Sequence, residues 1–462
     1  MSDLHVVILA AGQGTRMKSS LPKALHQVAG EPMVEHVLRS ATALTPATTT
    51  VVVGYGAGAL QAQLADRPGL QFALQVPQGG TAHALQRVEP LLAGQSGTLV
   101  LLSGDVPLLR AETARLLLAT HRGAGAAATV LTAVVEQPYG YGRIIRSAGK
   151  IVGIVEERDA SPTQRRECEI NSGIYAFDLA PLFDALRTVA AGNAQGEYYL
   201  TDVVAAYTRR RLPVETLIVK DPREVRGVNT RSELSEVSTI MRQNKNAELM
   251  AAGVTIVDPA TTYIDEQVEV GQDTVIHPGV LIQGRSKIGS ACEIHASVRI
   301  SDSEIGDGVT VNNFCLILDS HVADGAAVGP FAHLRSATRI GQHATIGNFV
   351  ELKKTTFGAG SKASHLSYLG DATIGVNVNV GAGTITCNYD GQKKHPTVIE
   401  DGAFIGSDSQ LIAPVRVGKG AYVGAGSSIT EDVPAGALAV GRGRQTNIER
   451  WADRKKAERA KT

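Results

Sequence analysis

From Val270 onward the chain repeats every six residues, and nothing else in the sequence restricts its fold as strongly. Positions 270, 276, 282, 288, 294 and 300 carry Val, Ile, Ile, Ile, Ile and Ile. The register then trims by one residue to 305, 311 and 317, and again to 322, 328, 334, 340, 346 and 352. It resumes at 357, 363 and 369, at 374, 380 and 386, and finally at 399, 405, 411, 417, 423 and 429. Of these 27 positions, 24 are Val, Ile or Leu; the exceptions are Phe357, Ala363 and Thr386. Neither a heptad nor a two-residue alternation can hold this spacing. A hexapeptide β-helix can, because each hexad is one short strand plus a corner, with one aliphatic side chain stacked inward. At roughly 4.8 Å per coil and three hexads per coil, about nine coils make a prism on the order of 40 Å long. Thin coils need stackable aliphatics and corner glycines, which accounts for 49 glycines beside only 4 % aromatic residues. The repeat breaks at residues 387–398 (CNYDGQKKHPTV). A solenoid has no structural need of that insertion, and loops expelled from a rigid repeat are where binding residues collect.

Residues 1–229 follow a different period. Apolar, β-branched runs at 5–9, 49–53, 71–76 and 98–102 alternate with helical patterns such as 33–44 and 111–121. That order predicts a mainly parallel, Rossmann-like α/β sheet with crossover helices, which binds ligands beyond the carboxyl ends of its strands. Residues 230–252 are charged and proline-free and stop at Gly253, so they read as one long connecting helix. The expected plan is an α/β domain over 1–229, a linker helix over 230–252, a left-handed hexapeptide β-helix over 253–441 and a basic tail over 442–462.

Charge excludes more than it suggests. The 45 Lys+Arg balance 45 Asp+Glu, which argues against a general polyanion binder, so no nucleic-acid partner is expected. The tail carries eight basic residues, the last of them Lys461, and reads as a solvated segment. Cys168, Cys292, Cys315 and Cys387 form no CxxC pair, so reduced thiols are expected rather than a disulfide framework or a cysteine zinc site. The longest near-apolar stretch, 123–135, is too short to span a bilayer, and the N-terminal segment has no basic start. A cytoplasmic protein without a membrane partner is the expectation.

The turns after strands carry the first chemistry. Leu9, Ala10, Ala11 and Gly12 lead into Gly14-Thr15-Arg16-Met17, where glycines let backbone N–H groups approach phosphate oxygens. Arg16 and Lys23 add the positive charge that a triphosphate needs. A tight strand-to-helix turn would also account for the glycines alone. Ser103-Gly104-Asp105 closes another strand; Asp105 is well placed to hold a metal against phosphates, although an Asp capping the next helix would look the same. Gln75, Gly80, Thr81, Gly142, Glu156, Asn171 and Asn229 occupy similar glycine-rich or strand-end settings.

Taken in order, GxGTRM, LPK, QxxxxGTxHA, GDVPL, GYGRI, IVEE, EINSG, QGEYYLTD and GVN, followed by a hexapeptide β-helix, resemble one family. It is that of the bacterial bifunctional N-acetylglucosamine-1-phosphate uridylyltransferases and glucosamine-1-phosphate N-acetyltransferases. The resemblance runs from about Leu4 to Arg442. It implies that Leu9, Ala10, Ala11, Gly12 and Gln75 hold uracil and ribose, with Gly80 and Thr81 supporting them. Ser103 and Gly104 belong to the same nucleotide site, although some relatives have Tyr where Ser103 stands. By the same resemblance Arg16 and Lys23 neutralise the triphosphate of UTP, and Gly142, Glu156 and Asn171 hold N-acetylglucosamine. Asp105 and Asn229 bind magnesium.

The resemblance extends to the β-helix. The segment 361–371 (SKASHLSYLGD) matches the family around its general base, which makes His365 that base, oriented by Glu351. Any single histidine of this region would otherwise read as a surface residue. Arg335, Lys353, Tyr368 and Asn379 would bind glucosamine-1-phosphate; Ala382, Asn388, Tyr389, Ser407, Ala425 and Arg442 would line the acetyl-CoA site. Relatives are homotrimers, and their UDP-sugar supplies peptidoglycan and, in Gram-negative cells, lipid A. A second reading keeps the sugar nucleotidyltransferase and makes the β-helix only an oligomerisation module. A metal-dependent hydratase on the β-helix would need three histidines converging on one metal, and the sequence shows no compelling set.

Overall fold

The computed structural model describes residues 3–460 and divides into two compact units, with the boundary between residues 241 and 242. In the first unit a nine-stranded sheet has the core order Val214–Ile218, Ala128–Val134, Glu169–Asp178, Thr98–Ser103, Leu4–Leu9, Thr48–Val53, Leu70–Leu74. All of these neighbours pair parallel except Glu169–Asp178, which runs antiparallel to both strands beside it. Alternation along the strands decides which helices cover each face. Val6, Ile8, Val51, Val53, Val100 and Leu102 point to one side and pack with the helices Met33–Thr42 and Ala111–Ala124. Val7, Val52, Leu99, Leu101, Tyr175 and Phe177 point to the other, against Thr81–Gln86, Leu179–Leu186 and Asp202–Arg209. This is the Rossmann-like sheet expected.

The helix Arg231–Ala251 spans the unit boundary. A reciprocal cap starts it: Thr230 Oγ1 accepts from the Glu233 N–H at 3.2 Å, and the Glu233 carboxylate accepts from the Asn229 and Thr230 N–H groups at 2.7 and 2.8 Å. Gly253, at φ +97°, ends it. Its first half buries Val237 and Met241 with Met17, Met33, Leu108 and Val228 of the first unit. In the second unit Asn246 donates to the carbonyls of Pro259 and Thr262, and Leu249 joins the β-helix core.

That core lies inside three parallel sheets of eleven, ten and nine strands, the walls of a left-handed β-helix. Every position of the six-residue count is buried except Val270, which is half-buried. The coil begins earlier than the count does, at Thr255–Ile256 and Tyr263–Ile264. Ile256 and Ile264 are eight residues apart, which hides the first hexads from a six-residue search. The tail is exposed, as a solvated segment should be, and within it Trp451–Arg459 forms a helix with no buried residue, while Lys461 lies outside the described residues. Among the described residues no helix is long and apolar enough to cross a membrane.

Candidate active sites

In the first unit the carboxyl ends of the strands Leu4–Leu9, Thr98–Ser103 and Leu70–Leu74 open onto a cleft of about 620 Å³. Leu9, Ala10, Ala11, Gly12, Lys23, Gln75, Gly80, Thr81, Ser103, Gly104 and Asp105 line it. Gly14 takes a left-handed conformation, φ +62°, and the Lys23 side chain fills the place where its Cβ would stand. Among the described residues the N–H groups of Ala11, Gly12, Gln13 and Gly14 have no protein acceptor. Four free donors on one loop suit an anionic ligand. Gln75, buried, donates to the Gly80 carbonyl at 2.9 Å and so fixes the start of the Thr81–Gln86 helix.

The Lys23 ammonium ion-pairs with Asp105 and donates to Asn229 Oδ1 at 3.1 Å. Two residues 124 positions apart, both expected to ligate a metal, therefore converge on one cation. A carboxylate and an amide oxygen are hard donors that fit magnesium, and the lysine ammonium stands in for the charge. In the turn Thr15–Met17, Thr15 lines the cleft and Met17 is buried, while the exposed Arg16 between them does not line it. Gly142, Glu156 and Asn171 form a separate cluster. The Asn171 N–H donates to the Gly142 carbonyl at 2.9 Å, and a side chain on Gly142 would meet the Glu156 carboxylate. Glu156 lines a second cavity of about 460 Å³, together with Asp159, Thr201 and Asp202. Burial pushes the Glu156 carboxyl pKa up, and the nearby carboxylates of Asp159 and Asp202 add to the shift.

The β-helix builds its site from register. Asn348 pairs with His365, Ala363 with Val380, Val380 with Ile405 and Ile405 with Val423. Continued two residues past each inward aliphatic, that register stacks Asn348, His365, Ala382, Ser407 and Ala425 at one corner of successive coils. Arg442 extends the column by donating to the Ala425 carbonyl at 2.6 Å. On the next face Arg335 is in register with Lys353, and Glu351 with Tyr368. Asn379 stands exposed on the adjoining face, one coil beyond Lys362.

The insertion is held in a defined shape. Asn388 Nδ2 donates to Asp371 at 2.6 Å, and Tyr389, 60 % exposed, donates its hydroxyl to the Gly391 carbonyl. Asp390 accepts from the N–H groups of Lys393 and Gln392, both at 2.7 Å, and from His395; these bonds hold its carboxyl well below the usual range. Lys394 reaches Lys353 and lowers that ammonium's pKa, with Arg335 adding to the effect and Asp371 opposing it. Three crowded cations form a ready seat for a phosphate dianion.

One expectation is corrected here. Glu351 does not orient His365: its carboxylate pairs with Arg335 at 2.6 Å. The partner of His365 Nδ1 is Asn348 Oδ1, at 2.6 Å.

Comparison with known proteins is decisive. Residues 6–162 match the MobA-like NTP transferase domain, and residues 396–431 match the bacterial transferase hexapeptide repeat. The chain is 49 % identical over 457 residues to a protein of Pelobacter propionicus named bifunctional protein GlmU, covering 99 % of each chain. Proteins of the same name from Syntrophotalea carbinolica and a Geobacillus species are 52 % identical over 449 residues and 50 % over 455, covering 97 % and 98 % of both chains respectively. The chain belongs to the bifunctional GlmU family. It is a bifunctional transferase that joins a uridylyltransferase to an acetyltransferase, working on small sugar phosphates and nucleotides. Two features of the β-helix site stayed out of reach of the sequence. Asn348 and His365 meet only through a coil of 17 residues, and Lys394 meets Lys353 only through the insertion. Once the coil length is known, a 17-residue offset from His365 would have found Asn348.

Proposed function

We propose that the β-helix unit acetylates glucosamine-1-phosphate from acetyl-CoA and that the α/β unit then uridylylates the N-acetylglucosamine-1-phosphate formed, giving UDP-N-acetylglucosamine and pyrophosphate. The observation that carries this reading is the corner column in the β-helix. It continues from His365 coil by coil through Ala382, Ser407 and Ala425 to Arg442, a surface that a module serving only oligomerisation has no need to build. His365 takes a proton from the sugar amine as the nitrogen attacks the thioester carbonyl, and Asn348 fixes the ring for that task. Arg335, Lys353, Tyr368 and Asn379 hold the sugar phosphate, with Lys394 as a further cation. The column from Ala382 to Arg442, together with Asn388 and Tyr389, holds acetyl-CoA.

In the α/β unit the free amides of Ala11–Gly14, with Arg16 and Lys23, receive the triphosphate of UTP. Leu9, Ala10, Gln75, Gly80, Thr81, Ser103 and Gly104 seat the nucleoside; Gly142, Glu156 and Asn171 seat the acetylated sugar. The sugar phosphate oxygen attacks the α-phosphorus in line, so positioning and charge neutralisation supply the catalysis and no covalent enzyme intermediate forms. Asp105 and Asn229 would hold magnesium, which when bound neutralises charge on the phosphate oxygens.

A homotrimer in the cytoplasm, feeding peptidoglycan synthesis, completes the reading. Phe314, Phe331 and Phe349 stack in a ladder with ring centroids 5.0 and 5.1 Å apart and stay half exposed. Phe349 is next to Asn348, so a neighbouring subunit covering the ladder would close the acetyl-transfer site, and a closed ring of three leaves no growing end. The test is a pair of assays on the purified chain. One follows CoA thiol release with glucosamine-1-phosphate; the other follows pyrophosphate release from UTP with N-acetylglucosamine-1-phosphate and magnesium. Pyrophosphate without thiol would reduce the β-helix to a scaffold.

A further inference from the structure

We propose that the first coils of the β-helix carry a second metal site, in which His277, Glu293 and His295 bind a divalent transition-metal ion of the zinc class. The register places them together. Ile276 pairs with Ile294, and the His277 N–H donates to the Ile294 carbonyl at 2.9 Å, so His277 and His295 occupy the same place on successive coils. The two isoleucines point into the core, and the residues on either side of them therefore point out. Glu293 and His295 flank Ile294 and share the outer face with His277.

The side chains converge further than shared register demands. The imidazoles stack with centroids 4.9 Å apart, and both turn Nε2 toward the same carboxylate oxygen, Glu293 Oε1, at 3.4 and 3.6 Å. The three ligand atoms all lie within 4.8 Å of one another. A tetrahedral ion with bonds of about 2.0–2.1 Å needs ligand atoms about 3.3–3.4 Å apart, so two edges already have nearly that length. Both rings are about 70 % covered and the carboxylate half exposed, which leaves room for water at the remaining position.

The donor set selects the ion. Two imidazole nitrogens and one carboxylate suit zinc, cobalt(II) or nickel(II), whereas magnesium prefers an all-oxygen shell. The site is thus chemically distinct from Asp105 and Asn229. Neither proposed reaction uses these residues. An ion there would tie one coil to the next and would bind only the folded chain, so its occupancy stabilises the fold by mass action.

The test is a titration of the full chain with Co2+ alone as the probe, in excess Mg2+ to saturate oxygen-donor sites, read by visible absorption and equilibrium dialysis. The wild type should take up a Co2+ equivalent that Mg2+ does not displace. His277→Asn and His295→Asn should each weaken that uptake at least ~10-fold, the smallest loss that even a supporting contact causes at a metal site. Glu293→Gln should weaken it too. Circular dichroism checks that each variant is folded, and both transferase activities should stay at wild-type levels. Zn2+ should raise the melting temperature of the wild type and leave that of the histidine variants unchanged. Uptake equal in wild type and both histidine variants, or no uptake by the wild type, would overturn the proposal and leave an imidazole stack on a glutamate.

Discussion

Asn348 and Glu156 show how much a single neighbour decides. The Asn348 amide oxygen holds Nδ1 of His365 and leaves Nε2 free to face a substrate. Asn348→Leu should lower the acetyltransferase kcat about 10- to 100-fold, in line with the cost of a misplaced reacting group, while KM for acetyl-CoA changes little. Equal losses in both parameters would assign Asn348 to coenzyme binding instead. Glu156 is governed by burial. Its raised pKa means that folding favours the protonated carboxyl, a contribution fully present below the unfolded-state pKa and lost as pH rises through the folded-state value. Glu156→Gln is neutral throughout, so it should melt above the wild type at pH 8 and converge with it near about pH 4. Calorimetry at the two pH values checks this, and a gap that widens in acid would reverse the sign.

At the scale of elements the β-helix was the part most legible in the sequence. Its inward positions have no alternative to a compact aliphatic, and so Ile294, Ile300 and Ile305 announce themselves through spacing alone. Truncating one of them leaves a cavity between coils that cannot collapse. Ile300→Ala should therefore cost about 2–5 kcal/mol, measured by denaturant unfolding of the β-helix unit; a loss below ~0.5 kcal/mol, within the usual range for surface positions, would contradict the packing described. Strand and helix positions in the α/β unit were legible for the same reason. What escaped was anything set by a neighbour one coil away: the pairing of Asn348 with His365, of Arg335 with Glu351, and of His277 with His295. Such pairs lie 16 to 18 residues apart, and the trimmed hexads shift that interval from coil to coil. The tail helix Trp451–Arg459 escaped too, because with no buried face it has no amphipathic pattern to read.

Across the whole molecule the two chemistries keep separate residues. No residue assigned to nucleotide transfer belongs to the β-helix, and none assigned to acetyl transfer belongs to the α/β sheet. The intermediate, acetylated on one unit, must be handed to the other, and each unit should survive damage to its companion. The most direct measurement is to assay both activities in Asp105→Ala and in His365→Ala, with circular dichroism confirming that each chain is folded. Asp105→Ala should abolish pyrophosphate release and retain CoA release. His365→Ala should lower CoA release by about 10²–10⁴-fold, the usual worth of a general base, and retain pyrophosphate release. A folded variant that loses both activities would contradict the assignment of two independent sites.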